Sequence, residues 1–242
     1  MKRAAFVLLL LCVQPALAGD AVSGLVLPAG TDEYAQLVAR AAKGDKNVDF
    51  HALRIAYLNS AARAAENPAE IAQLKDAMVQ AIDAKDNTKV RDIAVQILSK
   101  RWVDIDVHAV LITACDLLKD DACAAQSQFA LDGLMKSILT SGTGKGCAKG
   151  WEVINAREEY VVMAMQDADI KDSSFDQEDG HTCQVLVASD GKGGTQTYYF
   201  NIDLVRADIS AQMAKAPVTA APAASAPAST PPPALPLRPA GK

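Results

Sequence analysis

Asn67-Pro68-Ala69-Glu70-Ile71-Ala72-Gln73-Leu74-Lys75-Asp76-Ala77-Met78 is the stretch on which the fold is read. Asparagine can cap a helix, proline fits the first helical position, and Glu70 can reach back to the cap. Ile71, Leu74, Met78 and Ile82 then recur at helical spacing as one apolar stripe. From Asp45 to Asp132 the chain has no glycine and only this proline, so the whole stretch is expected to be helical.

Neighbouring helices follow from the same signals. Upstream, a helix from Asp49 sets Phe50, Leu53, Tyr57 and Ala61 on one face. Before it, a helix over 31–42 has Thr31 as its cap, with Asp32 and Glu33 at its positive end. Downstream, helices begin near Asp86, burying Val90, Ile93, Ala94 and Ile97, and near Asp104, burying Val107, Val110, Leu111, Ala114 and Leu118. A last one runs from about Asp120 to Leu139, burying Ala122, Ala125, Phe129, Leu134 and Ile138, until Ser141-Gly142 stops it. Starts at 49, 68, 86, 104 and 120 are evenly spaced, and the short turns force antiparallel neighbours. The period approaches that of tetratricopeptide-like repeats, but the tryptophan, glycine and tyrosine signature is missing.

After Gly150 the pattern changes. Trp151–Asn155 and Tyr160–Met165 are β-prone, as two strands or one strand bent near Arg157. Cys183–Ala188 reads as another strand, and Tyr198, Phe200 and Ile202 alternate as in a half-buried one. Asp190-Gly191 and Gly193-Gly194 mark the hairpin loop between them. The acidic segment from Asp167 to Gly180 reads as a loop, and a short helix covers Ala207–Lys215.

The two ends are different in kind. Lys2-Arg3, an apolar run from Ala4 to Val13, and Pro15-Ala16-Leu17-Ala18 form an export leader, residues 1–18, cut after Ala18. Lipid anchoring at Cys12 is disfavoured because Leu11 is not small. Eight of the eleven prolines fall between Pro217 and Pro239, among alanine, serine and threonine. That tail, residues 216–242, is too poor in large apolar side chains to repay ordering entropy and is expected to be disordered. The chain has 24 basic residues, and the leader and tail hold four of them and no acid, which leaves 20 basic against 29 acidic residues, a net of −9. Such a body repels phosphate backbones and anionic lipid, so nucleic acid and membrane surfaces are expected to be poor partners. No transmembrane span remains once the leader is gone.

The expected fold class is therefore α+β. A stack of antiparallel helical hairpins (31–140) packs beside a small antiparallel β-sheet (150–205), within a single domain at 19–215. The expected location is periplasmic or secreted. Without Cys12, the even count of Cys115, Cys123, Cys147 and Cys183 then favours disulfides over metal ligation or buried thiols. Of the three connectivities, pairing by region (115 with 123, 147 with 183) is the simplest.

Four stretches, with a late strand, resemble the bacterial family named domain of unknown function 4919. They are Asp49-Phe50-His51-Ala52-Leu53-Arg54-Ile55-Ala56-Tyr57; Asp104-Ile105-Asp106-Val107-His108; Gly133 to Leu139 with Gly142-Thr143-Gly144-Lys145; and Val153-Ile154 leading to Glu158-Glu159-Tyr160. The strand Tyr198-Tyr199-Phe200-Asn201-Ile202 also fits, so the resemblance covers about residues 49–205. It implies a helical start and a β-rich end, and carries no activity over.

Several polar groupings invite chemistry. Gly142-Thr143-Gly144-Lys145-Gly146 is not a phosphate loop, since Leu139 stands where its first glycine belongs and Gly146 where Ser or Thr belongs. Asp104-x-Asp106-x-His108 could serve a general base, but Asp104 or Asp106 is also an ordinary helix cap. Glu158 and Glu159 could supply an acid and a base, yet neighbours on a strand face opposite ways, and one is expected to pair with Arg54 or Arg157. A weak cation site in the acidic loop (Asp167, Asp169, Asp172, Asp176, Glu178, Asp179) lacks EF-hand spacing. Histidines 51, 108 and 181 show no ligand spacing, and no pattern calls for a metal or cofactor. The expected function is a non-enzymatic binding or structural module of the envelope, meeting an envelope protein or a small ligand. The alternative is a periplasmic hydrolase using Asp106, His108 and Glu158 or Glu159.

Overall fold

The computed structural model describes residues 22–189 and 194–215. The leader, residues 190–193 of the expected hairpin loop, and the proline-rich tail lie outside these.

The helices form where the caps place them. α1 (Glu33–Ala42), α2 (Phe50–Leu58) and the short α3 (Ala61–Ala65) come first. Asp32, not Thr31, caps α1, because its carboxylate reaches the Ala35 amide. Ala61 does not extend the face of α2, because Ser60 starts a new helix by accepting from the Arg63 amide. In α4 (Pro68–Asp83), Asn67 accepts from the amides of Ala69 and Glu70, with proline in the first turn. Asp86 and Asp120 cap α5 (Asn87–Lys100) and α7 (Asp121–Leu139) in the same way, and α6 (Ile105–Leu118) lies between them. Each of α4 to α7 packs on the next, burying Ile71, Met78, Ile93, Ile97 and Leu111 in one apolar core.

A second core joins the helices to the sheet: Leu53, Tyr57, Trp102, Leu134 and Ile138 meet Leu186, Tyr198 and Phe200. Glycine inside a helix costs about 1 kcal/mol relative to alanine. Gly133 of α7 is placed there by α2, since a Cβ on it would stand 2.3 Å from the Phe50 ring. The Phe50 ring seated there also stacks on Trp102 at 6.4 Å.

β1 (Trp151–Glu152), β2 (Asp169–Glu178), β3 (His181–Ser189) and β4 (Thr195–Asn201) form one sheet in the order β1-β4-β3-β2. β2, β3 and β4 are antiparallel, and the two residues of β1 add to β4 in parallel. Phe200 and Leu186 face the main core, while Cys183, Val185 and Tyr199 cover the other face with Cys147. Both disulfides pair by region: Cys115–Cys123 spans the α6–α7 turn, and Cys147–Cys183 ties the 3-10 turn Cys147–Lys149 to β3.

Several expectations for the β-rich part are corrected: the sheet is mixed because β1 joins in parallel, and the strand expected over Trp151–Asn155 is only Trp151–Glu152, since Asn155 caps the next helix. Tyr160–Met165 is not a strand but the body of α8 (Ala156–Met165). Asn155 is extended, its side chain accepts from the amides of Arg157 and Glu158, and Glu158 and Glu159 occupy the first turn. The β-branched pair Val161-Val162 suggested a strand, yet both pack with Met163 into the core, and packing governs β propensity. The acidic segment is likewise not a loop. Most of it is β2, hydrogen-bonded along β3 from Asp169 opposite Ser189 to Glu178 opposite His181. Its side chains are nearly all exposed, so no apolar alternation betrays it in the sequence. Main-chain pairing with the buried β3 holds it, and its charges suit a sheet edge. The helix after the sheet, α9 (Asp203–Lys215), starts earlier than expected.

Candidate functional site

The polar residues singled out in the sequence meet at the seam between the helical stack and the sheet. Arg54 of α2 and Glu158 of α8 are both fully buried. Their contact is bidentate, with Arg54 Nε donating to Glu158 Oε1 at 3.0 Å and Nη2 to Oε2 at 2.6 Å. The guanidinium also donates to the Glu152 carbonyl at 2.9 Å and to Ser137 Oγ at 3.3 Å. Glu158 Oε2 accepts from the Ile154 amide at 3.0 Å. One ion pair thus fastens α2, α7, β1 and α8 together.

Asp104 sits at the cap position of α6 but makes no side-chain cap bond. Its carboxylate turns instead to Lys75 Nζ at 2.9 Å and Arg101 at 3.6 Å. Asp106 accepts from the same Lys75 at 3.2 Å and from Arg157 Nε at 2.8 Å. Burial and the neighbouring Asp106 push Asp104 up to about 7. Burial also works against the Asp106 anion, but the hydrogen bond with Asp104, Lys75 and Arg157 together hold it well below the carboxylate range. Lys75 is opposed by burial, yet the two aspartates outweigh it and keep the ammonium charged. Arg101 carries the network on to Glu66 at 2.8 Å, and Glu66 is also held by Tyr57 and Arg63. Arg63 then reaches Asp208 of α9 at 2.6 Å.

His108 is buried beside this network without joining it. Its Nε2 bonds the Trp102 carbonyl at 2.8 Å, and its ring meets the indole edge-on at 5.0 Å. Burial outweighs the carbonyl and Asp106 and lowers its pKa to about 4, so the ring is neutral at pH 7. Glu159 does not stand opposite Glu158 across a strand; both occupy the first turn of α8, about 100° apart around the axis. Glu159 Oε2 has no hydrogen-bond partner, and burial with the Glu158 charge pushes its pKa up to about 8.

An acid whose folded pKa lies above its unfolded value penalises folding once the unfolded chain begins to ionise. Stability is therefore undiminished below about pH 4.5 and falls as pH rises towards 8. Glu159→Gln is expected to remove that fall and to gain roughly 3 kcal/mol at pH 7. Urea denaturation at pH 5 and pH 8 checks it: a difference between variant and wild type that does not grow with pH would refute the assignment.

Among the described residues, no two of Asp106, His108, Glu158 and Glu159 hydrogen-bond one another, and the first three are each held by partners of their own. Two histidine–carboxylate pairs escaped the sequence reading. His51 contacts Glu152 at 2.8 Å beside an open cleft of about 410 Å³ between α1 and α2, and His181 contacts Asp203 at 2.8 Å. Sequence separations of 101 and 22 residues leave no local signal for either pair. In the glycine-rich connector, the amides of Thr143 and Gly144 both donate to the Lys149 carbonyl, so they close a turn. Asp169, Asp172, Asp176 and Glu178 all share the face of β2 that carries Cys183 on β3. The strand rise spreads these carboxylates along an edge instead of gathering them round a point. Among the described residues, no group of three or more potential ligands is placed to hold a metal ion.

No curated protein and no solved structure matches this chain. A family model does, over residues 29–211, and that span takes in both disulfides and the buried network from Arg54 to Asp208. By this match the chain belongs to the family described as a domain of unknown function, DUF4919.

Proposed function

We propose that this chain is an exported, non-enzymatic binding or structural module of the bacterial envelope. The observation that carries the reading is where the reactive side chains go. Asp106 is spent on Lys75 and Arg157, Glu158 on Arg54, and His108 Nε2 on the Trp102 carbonyl, all inside the packed seam. A hydrolase needs its acid and base within reach of one substrate. The leader and the two disulfides support an oxidising compartment. No helix among the described residues is long and apolar enough to cross a membrane. The proline-rich tail suits a spacer or a ligand for another envelope protein.

The test uses the full chain expressed with its leader. The purified product is expected to have lost residues 1–18 and to resist alkylation until reduced. In-cell crosslinking followed by affinity capture is expected to retain one envelope partner reproducibly. An intact Met1 with all five cysteines alkylatable overturns export. Turnover of an ester, amide or glycoside panel that disappears in His108→Ala overturns the non-enzymatic reading.

A further inference from the structure

A small cavity lies between α5, α6, α7 and the N-terminal segment 22–27, and none of the networks above uses it. Its volume is about 30 Å³. A water needs roughly 10–15 Å³, so it has room for about two or three heavy atoms. Leu98, Leu111 and Ala130 give it apolar walls; its polar side chains are Gln126, which donates to the Ala41 carbonyl at 3.1 Å, and the pair His108 and Ser127.

Those two residues are the unusual feature. His108 and Ser127 are 3% and 1% exposed, yet His108 Nδ1 and Ser127 Oγ have no hydrogen-bond partner. Buried polar groups are nearly always paired, and two unpaired ones lining one cavity ask for an occupant. The tautomer fixes what that occupant must offer. Nε2 faces a carbonyl, which only accepts, so Nε2 carries the proton and Nδ1 presents a lone pair. Ser127 can donate. A hydroxyl group meets both demands, donating to one and accepting from the other. No Asp, Glu, Lys or Arg lines the cavity, so an ion entering it would be desolvated with no counter-charge. The wall formed by 22–27 belongs to no helix or strand, and the Val26 amide is tied to Ser99 Oγ at 3.0 Å. Such a cover can lift more readily than a packed helix.

We infer that this cavity binds a small neutral molecule bearing a hydroxyl group, of the size of a short aliphatic alcohol. Its O–H donates to His108 Nδ1, its oxygen accepts from Ser127, and its carbon atoms lie against Leu98, Leu111 and Ala130. This deepens the binding reading proposed above and rests on it.

Ethanol and xenon, one able to form these hydrogen bonds and one not, are the probes. The ring nitrogens of His108 are followed by NMR in the ¹⁵N-labelled mature chain. Ethanol is expected to shift Nδ1 saturably, and Ser127→Ala to weaken ethanol about fivefold, the effect of one lost hydrogen bond, while leaving xenon binding intact. Because Ser127 has no partner to lose, Ser127→Ala should melt no lower than wild type, which keeps the comparison interpretable. A non-saturable shift, an equal loss for ethanol and xenon, or a bound water that ethanol does not displace overturns the inference. Failure here leaves crosslinking capture and the turnover panel untouched, so the two readings fall separately.

Discussion

Arg54→Met is expected to destabilise the protein by about 3–5 kcal/mol, the usual cost of breaking a buried ion pair. The loss is larger than a missing contact because of what stays behind. Glu158 would be left without its cation at a site with no solvent exposure, and the Glu152 carbonyl and Ser137 hydroxyl would each lose a donor. Removing both charges is a different experiment. Arg54→Met with Glu158→Leu fills similar volume without a stranded carboxyl group and should recover much of the loss, since buried pairs often contribute little beyond an apolar replacement. Recovery should be incomplete, because the Ile154 amide then has no acceptor. Urea midpoints of the two single variants and the double variant form the cycle. A single-variant loss below about 1 kcal/mol would mean that water reaches the site, against the burial described.

Removing the Cys147–Cys183 bridge has the next largest expected effect. It closes a loop of 36 residues, whereas Cys115–Cys123 closes 8. Chain-entropy estimates give about 4 kcal/mol for the longer loop and about 2.5 kcal/mol for the shorter. Cys147→Ala with Cys183→Ala should therefore cost more than Cys115→Ala with Cys123→Ala, and should lower the melting temperature by roughly 10 °C. The longer bridge has a second role. It anchors the 3-10 turn to β3 on the sheet face away from the main core, where the buried apolar cluster is only Cys147, Cys183 and Val185, with Tyr199 packed against it. Scanning calorimetry of the two double variants decides the order. If the short-loop pair proves the costlier, unfolded-chain entropy is not what the bridges act on.

How far the sequence could be read depended on the range of the interaction. Asn67, Asp86 and Asp120 cap helices through amides two or three residues away, so their meaning was local and legible. Asn155 does the same for α8, with a glutamate at the third helical position, but the β-prone Val161-Val162 pair masked that signal. β2 left no trace, because an exposed edge strand is held by its neighbour's backbone and its own side chains need no pattern. At Asp104 the local reading gave a cap, and the structure substitutes Lys75, 29 residues away, because a buried carboxylate gains more from a cation than from an amide.

By itself, the sequence determined the helical stack, its even spacing, the regional grouping of the cysteines and the presence of a β-rich end. Those depend on caps, periods and turns, which act over a few residues. Only the tertiary structure decided that Arg54 belongs to Glu158, that Asp104 and Asp106 share Lys75, and that His108 and Ser127 face one small cavity. Partnership between buried charges is set by which elements the packed core brings together, and that pairing has no local pattern along the chain.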